Sequence, residues 1–334
     1  MRITLGNGSL AQYPPGGGHW SMFLQWPLGI LSLGHKLFWI ELLQKSADRD
    51  RDLRLIREFF ARIARYGLAE HCALLLVPDK DVQDLDRAEP FGRTRTEIAQ
   101  AIRDTDLLWN HACAIREPLL SNFRRPVLID TDPGHLQVSA LSWDLGIKSH
   151  HAFLTVGSKI HHPDCAVPTL GLSWRSFLPP VHLPMWLREP DPGAEAPFSS
   201  ITQWTWEELP FGGRTLSASK RAAYLAYAEL PRHAGRSFEL AANIGAEDPA
   251  QDRQTLRSGG WTLTEPHDVV ATPELYREFI RRSRAELLCA KPIYRELNTG
   301  WFSDRSSCYL ATGRPVLAED TGFAAAIPAG HGLL

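Results

Sequence analysis

The stretch Trp301-Phe302-Ser303-Asp304-Arg305-Ser306-Ser307 sets a hydroxyl, an acid, a guanidinium and two further hydroxyls at the head of a segment that ends in Thr312-Gly313. The spacing predicts a helix over 303–311, stopped by the glycine. A helix N-terminus offers unpaired N–H groups and the positive end of a dipole, so this start suits a diphosphate. Ser303, Ser306 and Arg305 add donors, whereas Asp304 would repel a phosphate and suits ribose or sugar hydroxyls. The plainer alternative is a capped helix with Arg305 paired to Asp304 on the surface. One strand later comes Glu319-Asp320-Thr321-Gly322. Ligands of open α/β sheets sit beyond the carboxyl ends of the strands, so Asp320, Thr321 and Gly322 are expected at the same site, or else form a simple turn. Lys220, in Ser217-Ala218-Ser219-Lys220 at another predicted helix start, is either a further cation for that site or a solvated surface lysine.

The N-terminal half carries its own candidates. Pro14-Pro15-Gly16-Gly17-Gly18-His19 joins a predicted strand to a predicted helix. Gly16, Gly17 and Gly18 permit close backbone approach, and His19 could act as a general base. The loop matches neither G-x-G-x-x-G nor the Walker pattern. Asp130-Thr131-Asp132-Pro133-Gly134 ends an apolar run. Its carboxylates could hold a metal, take a proton or position a hydroxyl, and a proline-glycine turn with solvated acids is the alternative. The histidines of His150-His151 and His161-His162-Pro163-Asp164-Cys165 match no zinc spacing, and neighbours on a strand point to opposite faces, so no metal site is expected.

These residues need a scaffold, and the pattern supplies one. Short apolar runs alternate with helical periodicity along all 334 residues, as in parallel sheets covered by helices. Strands are predicted at 2–6, 36–40, 73–77, 107–109, 127–129 and 152–156, with helices over 19–33 and 50–66. After the proline-rich stretch near 186–198 the alternation restarts: strands at 201–206, 238–243, 261–264, 286–290 and 315–318, helices at 217–230 and from Thr272-Pro273 onward. The greasy run Trp20–Leu43 is broken by Gln25, Pro27 and Gly34-His35-Lys36, which predicts a helix and a buried strand, not a membrane span. A net charge of −2 gives no footprint for nucleic acid or an anionic membrane. Five scattered cysteines without a C-x-x-C pair and no signal-like N-terminus point to a reducing, cytoplasmic setting.

Residues 300–316 together with Asp320-Thr321-Gly322-Phe323 resemble a group of bacterial GT-B glycosyltransferase-like proteins. So do Gly16-Gly17-Gly18-His19-Trp20, Ile129-Asp130-Thr131-Asp132-Pro133-Gly134 with Gln137, Val167-Pro168-Thr169-Leu170-Gly171, and Thr272-Pro273 with Tyr276. The resemblance implies two Rossmann-like domains facing a cleft, an acceptor domain over 1–187 and a nucleotide-sugar domain over 198–334. It further implies a nucleotide-sugar as co-substrate and no essential metal or other cofactor. Retaining relatives carry two glutamates flanking the helix; Gly300 and Cys308 stand in their places here. The resulting expectation is a glycosyltransferase with His19 and Asp132 as candidate acceptor bases, and with Lys220, Ser303, Asp304, Arg305, Ser306, Asp320, Thr321 and Gly322 at the donor. The alternatives are a catalytically silent nucleotide-sugar binder or scaffold, and a metal-dependent GT-A transferase built on Asp130 and Asp132.

Overall fold

The apolar runs become the strands of two separate sheets in the computed structural model, which describes residues 1–334. Packing divides the chain into two units, the first made of 1–131, 143–155 and 172–175. Its sheet contains β1 (Arg2–Asn7), β2 (Lys36–Gln44), β3 (Cys72–Val77), β4 (Glu89–Phe91), β5 (Leu107–His111), β6 (Pro126–Asp130), β7 (Ala152–Thr155) and β8 (Trp174–Ser176). The order is β4-β3-β2-β1-β5-β6-β7-β8, with β1 parallel to both β2 and β5, so strand order reverses at β1. Every residue of β3 is buried, as expected of a strand covered on both faces.

Three helices serve this sheet: α1 (Gly17–Ser32), α2 (Arg49–Ala64) and α3 (Arg95–Arg103). Asp48 caps α2 through the amide of Arg51, and Thr94 with Glu97 forms a capping box on α3. Aromatic packing fixes α1: Phe23 lies 4.9 Å from Trp39, and Trp20 5.6 Å from Phe59, between ring centroids. The run Trp20–Leu43 is thus a helix followed by a buried strand, and no helix is long and apolar enough to cross a membrane.

The second unit comprises 132–142, 156–171 and 176–334. It opens with the short helix α4 (His135–Ser139). Its five-stranded parallel sheet holds β9 (Phe198–Gln203), β12 (Phe238–Asn243), β13 (Trp261–Thr264), β14 (Ala285–Leu288) and β15 (Val316–Ala318), in the order β13-β12-β9-β14-β15. A hairpin, β10 (Glu208–Phe211) and β11 (Arg214–Ser217), follows β9. The helices are α5 (Arg221–Ala226), α6 (Leu230–Ala234), α7 (Ala250–Ser258), α8 (Pro266–Val269), α9 (Pro273–Arg281), α10 (Pro292–Glu296) and α11 (Asp304–Ala311). Trp204, Tyr224, Phe238, Leu256 and Trp261 anchor the core.

Two sequence expectations need correction. The helix predicted over 217–230 is instead the end of β11 and two short helices. Ser219 bonds the backbone of Trp206 through both its acceptor and its donor, holding this stretch as a loop, and Pro231 begins a new helix. The strand predicted over 201–206 ends at Gln203, because Trp204 turns into the core and its indole donates to Asp252 at 3.0 Å.

Candidate functional site

In the second unit the strand order reverses at β9, which has β12 on one side and β14 on the other. A ligand of such a sheet binds beyond the carboxyl ends of those strands, and the chain leaving each end carries chemistry. The segment after β9 leads through the hairpin to Lys220, the residue preceding α5. The segment after β14 leads to α11, capped by Ser303, whose Oγ accepts from the amide of Arg305 at 3.2 Å.

Lys220 is 8% exposed, so the surface-lysine alternative does not hold. Its Nζ lies 5.6 Å from the centre of the Trp301 ring. Burial, and then the charge of Arg305, pull its pKa down to about 7. Arg305 does not pair with Asp304 on the surface, as the plainer reading had it. Its Nε donates at 2.6 Å to Oε1 of Glu286, a fully buried residue of β14. Burial opposes the guanidinium charge, yet Glu286 holds its pKa above the ordinary value. Nη2 of Arg305, Oε2 of Glu286 and Oγ of Ser306 are buried without a hydrogen-bond partner. Asp304 is half-buried, and burial pushes its carboxyl up.

Asp320, Thr321 and Gly322 form a turn that braces the approach to α11. Asp320 Oδ1 accepts from the Gly322 amide at 2.8 Å, Thr321 donates to the Trp301 carbonyl at 2.5 Å, and Gly300 donates to the Thr321 carbonyl at 2.7 Å. Gly300 itself has φ +71°, and a Cβ there would lie 2.7 Å from the amide nitrogen of Lys159. Cys308 is 2% exposed, and burial drives its thiol well above the usual range. Neither position that holds a glutamate in the retaining relatives offers a carboxylate here.

Asp132 also belongs to this unit. It accepts from Lys291 Nζ at 2.7 Å and from the Tyr294 hydroxyl at 2.5 Å. Burial would raise its pKa, but Lys291 and His135 hold it below the ordinary value. A carboxylate so held is a weak base at neutral pH. Asp130, in the first unit, accepts from Thr155 Oγ1 at 2.7 Å and is 1% exposed. No group of three His, Cys, Asp or Glu side chains is arranged to hold a metal ion. His162 and Lys159 both pair with Asp164, and His150 is satisfied by Asn110 and the Ile147 carbonyl.

In the first unit strand order reverses between β1 and β5. Gly16 precedes α1, and Gly17 and Gly18 form its first turn; a Cβ on Gly16 would collide with the Tyr13 ring. His19 Nε2 meets Ser9 Oγ at 2.6 Å, and burial lowers its pKa, favouring the neutral ring. Ser9 and Asn7 line a cavity of about 250 Å³ together with Gln83, His111 and Arg116. Burial pushes His111 down to about 3. Beneath lies Glu41 of β2, fully buried and pushed by burial up to about 7 against four donors. Its Oε1 accepts from the amides of Leu10 (2.8 Å) and Ala11 (3.0 Å), and its Oε2 from Asn7 Nδ2 (3.0 Å) and Trp39 Nε1 (3.2 Å).

Glu41 and Glu286 were not among the sequence candidates. Each is a lone acid in an apolar strand, Trp39-Ile40-Glu41-Leu42 and Ala285-Glu286-Leu287-Leu288, and a buried carboxylate must find partners. That pattern, shared by the buried Glu239 in Phe238-Glu239-Leu240-Ala241, is the signal they carried.

No protein-family model matches the chain, and no curated protein does either. Solved structures do resemble it. An alpha-glucosyltransferase in complex with UDP and a 13-mer DNA containing an HMU base is similar at TM-score 0.55 and 12% identity, over 100% of this chain and 81% of that one. A second such complex gives 0.53 and 11%, over 95% and 79%. The alpha-glucosyltransferase in complex with UDP gives 0.52 and 12%, over 100% and 82%. At these identities the likeness is one of fold.

Proposed function

The chain has the GT-B fold, and we propose that it is a glycosyltransferase that moves a sugar from a nucleotide-sugar to a hydroxylated acceptor. The donor's diphosphate sits at the first turn of α11, held by Lys220, Arg305, Ser303 and Ser306. The observation that carries this is the pair of unpartnered buried donors in that turn, Arg305 Nη2 and Ser306 Oγ, beside the charge of Lys220. Preorganised donors of this kind stabilise a leaving diphosphate. The second unit, which contains residues 198–334, is the donor domain and the first unit the acceptor domain, with His19 as the base. Asp130 and Asp132 are engaged by Thr155 and by Lys291 with Tyr294, so transfer is expected to survive a chelator. The neighbour structures contain UDP, which makes it the first probe.

The test is binding of UDP against uridine. Arg305→Ala should weaken UDP binding roughly 10- to 150-fold, the loss of one charge-assisted hydrogen bond of ~1.5–3 kcal/mol, and leave uridine unchanged. Equal losses for both ligands would remove Arg305 from the diphosphate site. A second reading, a silent nucleotide-sugar binder, draws on Gly300 and Cys308, which leave the usual glutamate positions without a carboxylate. UDP binding without transfer or hydrolysis across a panel of nucleotide-sugars would favour it.

A further inference from the structure

A chain of hydrogen bonds runs from Glu41 to His19, and each member limits what the next can do. Glu41 accepts four N–H donors, two on each oxygen, and no acceptor stands ready for a carboxyl proton. The ionised carboxylate fits that setting, and it can only accept. Asn7 must therefore turn its amide nitrogen to Glu41, which leaves Oδ1 facing Ser9. Oδ1 can only accept, so Ser9 donates its single proton to Asn7 at 3.3 Å. The other side of Ser9 Oγ is then a lone pair, 2.6 Å from Nε2 of His19. Were Ser9 to donate to the ring instead, the oxygens of Asn7 and Ser9 would face each other with lone pairs only. The same carboxylate clasps the amides of Leu10 and Ala11, so it also fixes the loop on which Ser9 stands.

We infer that Glu41, through Asn7 and Ser9, holds His19 as the Nε2–H tautomer and leaves Nδ1 as the atom that accepts a proton. Asn7, Ser9 and Glu41 are positioning residues in this arrangement. Asn7 and Ser9 also line the 250 Å³ cavity at the reversal of strand order, so the middle of the relay borders a space open to a small molecule. The tautomer is a property of the free protein. Its use, with Nδ1 taking the proton of an acceptor hydroxyl, rests on the transferase reading.

The experiment is two-bond 1H–15N correlation of the histidine rings at pH 8.5 in the full chain without ligand, where His19 is neutral and Glu41 ionised. The His19→Gln variant identifies the His19 signals. The wild type should show a protonated, pyrrole-type Nε2 and a bare, pyridine-type Nδ1. Ser9→Ala should convert this to a mixture of tautomers, and Ser9→Thr should restore the single form. A wild-type ring protonated at Nδ1, or a pattern unmoved in both Ser9→Ala and Asn7→Ala, overturns the inference. If the chain transfers sugar, Ser9→Ala should also lower kcat about tenfold with the KM for donor unchanged, a part of the ~10²–10⁴ that a positioned base supplies. The expected spectra in a chain with no transfer activity would leave the tautomer standing and sink the transferase reading alone.

Discussion

Arg305 donates through Nε to Oε1 of Glu286 at 2.6 Å, tying the first turn of α11 to the middle of β14. The bond balances the guanidinium charge within the protein before any ligand arrives. In the proposed donor site Lys220, buried and with its pKa near 7, is then the group whose charge would answer a ligand. The proposed donor site thus combines one fixed, compensated cation with one that titrates in the neutral range.

Removing the compensation should have two opposite effects. Glu286→Gln keeps the side-chain shape but leaves Arg305 as a buried charge without its counter-ion. Unfolding in urea should show a loss of about 3 kcal/mol, at the low end for a broken buried pair. UDP, supplying the missing negative charge, should bind roughly tenfold more tightly, a gain of about 1.4 kcal/mol. Weaker UDP binding by a correctly folded Glu286→Gln would mean that Glu286 contacts the ligand itself.

Lys220 gives a pH signature. Its folded pKa of about 7 lies below the ordinary 10.5, so the unfolded chain binds more protons between those values. Stability contributed by this group is therefore lost as pH falls through 7 and gained as pH rises toward 10.5. Lys220→Met should stabilise the protein at pH 6 by roughly a few kcal/mol and flatten that rise. UDP should favour the ammonium, so calorimetry near pH 8 in buffers of different ionisation enthalpy should reveal proton uptake in the wild type and none in the variant. Buffer-independent heats in both would place Lys220 away from the diphosphate.

The alternation of apolar runs and helical periodicity was enough to read two α/β units, because parallel strands buried on both faces leave continuous hydrophobic stretches such as Ala73–Val77. Ser303 was legible as a cap and Thr272-Pro273 as a helix start, since both act within one turn. The segment 217–230 was misread because its break comes from Ser219 bonding Trp206, thirteen residues away. Long-range partners also decided the fate of the site residues. The sequence places Asp132 near Asp130, whereas folding gives it to Lys291 and Tyr294, about 160 positions on. The packing of 132–142 and 156–171 with the C-terminal residues leaves no local mark in composition.

That partnership bears on catalysis. Asp132 is one of the two base candidates, yet Lys291 and Tyr294 already occupy its two oxygens. Asp132→Asn should cost about 1 kcal/mol of stability, as for a partly exposed ion pair. Transfer per folded molecule should stay within about tenfold of wild type, well short of the ~10²–10⁴ a general base contributes. A fall in kcat of about a hundredfold or more, with donor binding intact, would reinstate Asp132 as the base.

Gly300 tests why the first glutamate of the retaining relatives is missing. Its backbone is left-handed, and a side chain there would meet the Lys159 amide nitrogen and the Ser158 hydroxyl, which itself donates to the Gly300 carbonyl at 2.9 Å. The left-handed conformation costs a residue with a Cβ ~1–2 kcal/mol. Crowding against a segment that cannot yield without breaking that bond adds ~1–3 kcal/mol. Gly300→Ala should therefore lower stability by about 2–5 kcal/mol, and Gly300→Glu by at least as much without improving UDP affinity. Urea unfolding measures the first, and calorimetry on whatever Gly300→Glu remains folded measures the second. A Gly300→Glu protein that is as stable as wild type and binds UDP more tightly would show that the position accepts the first glutamate's carboxylate. The glycine would then be a choice of sequence and not of packing.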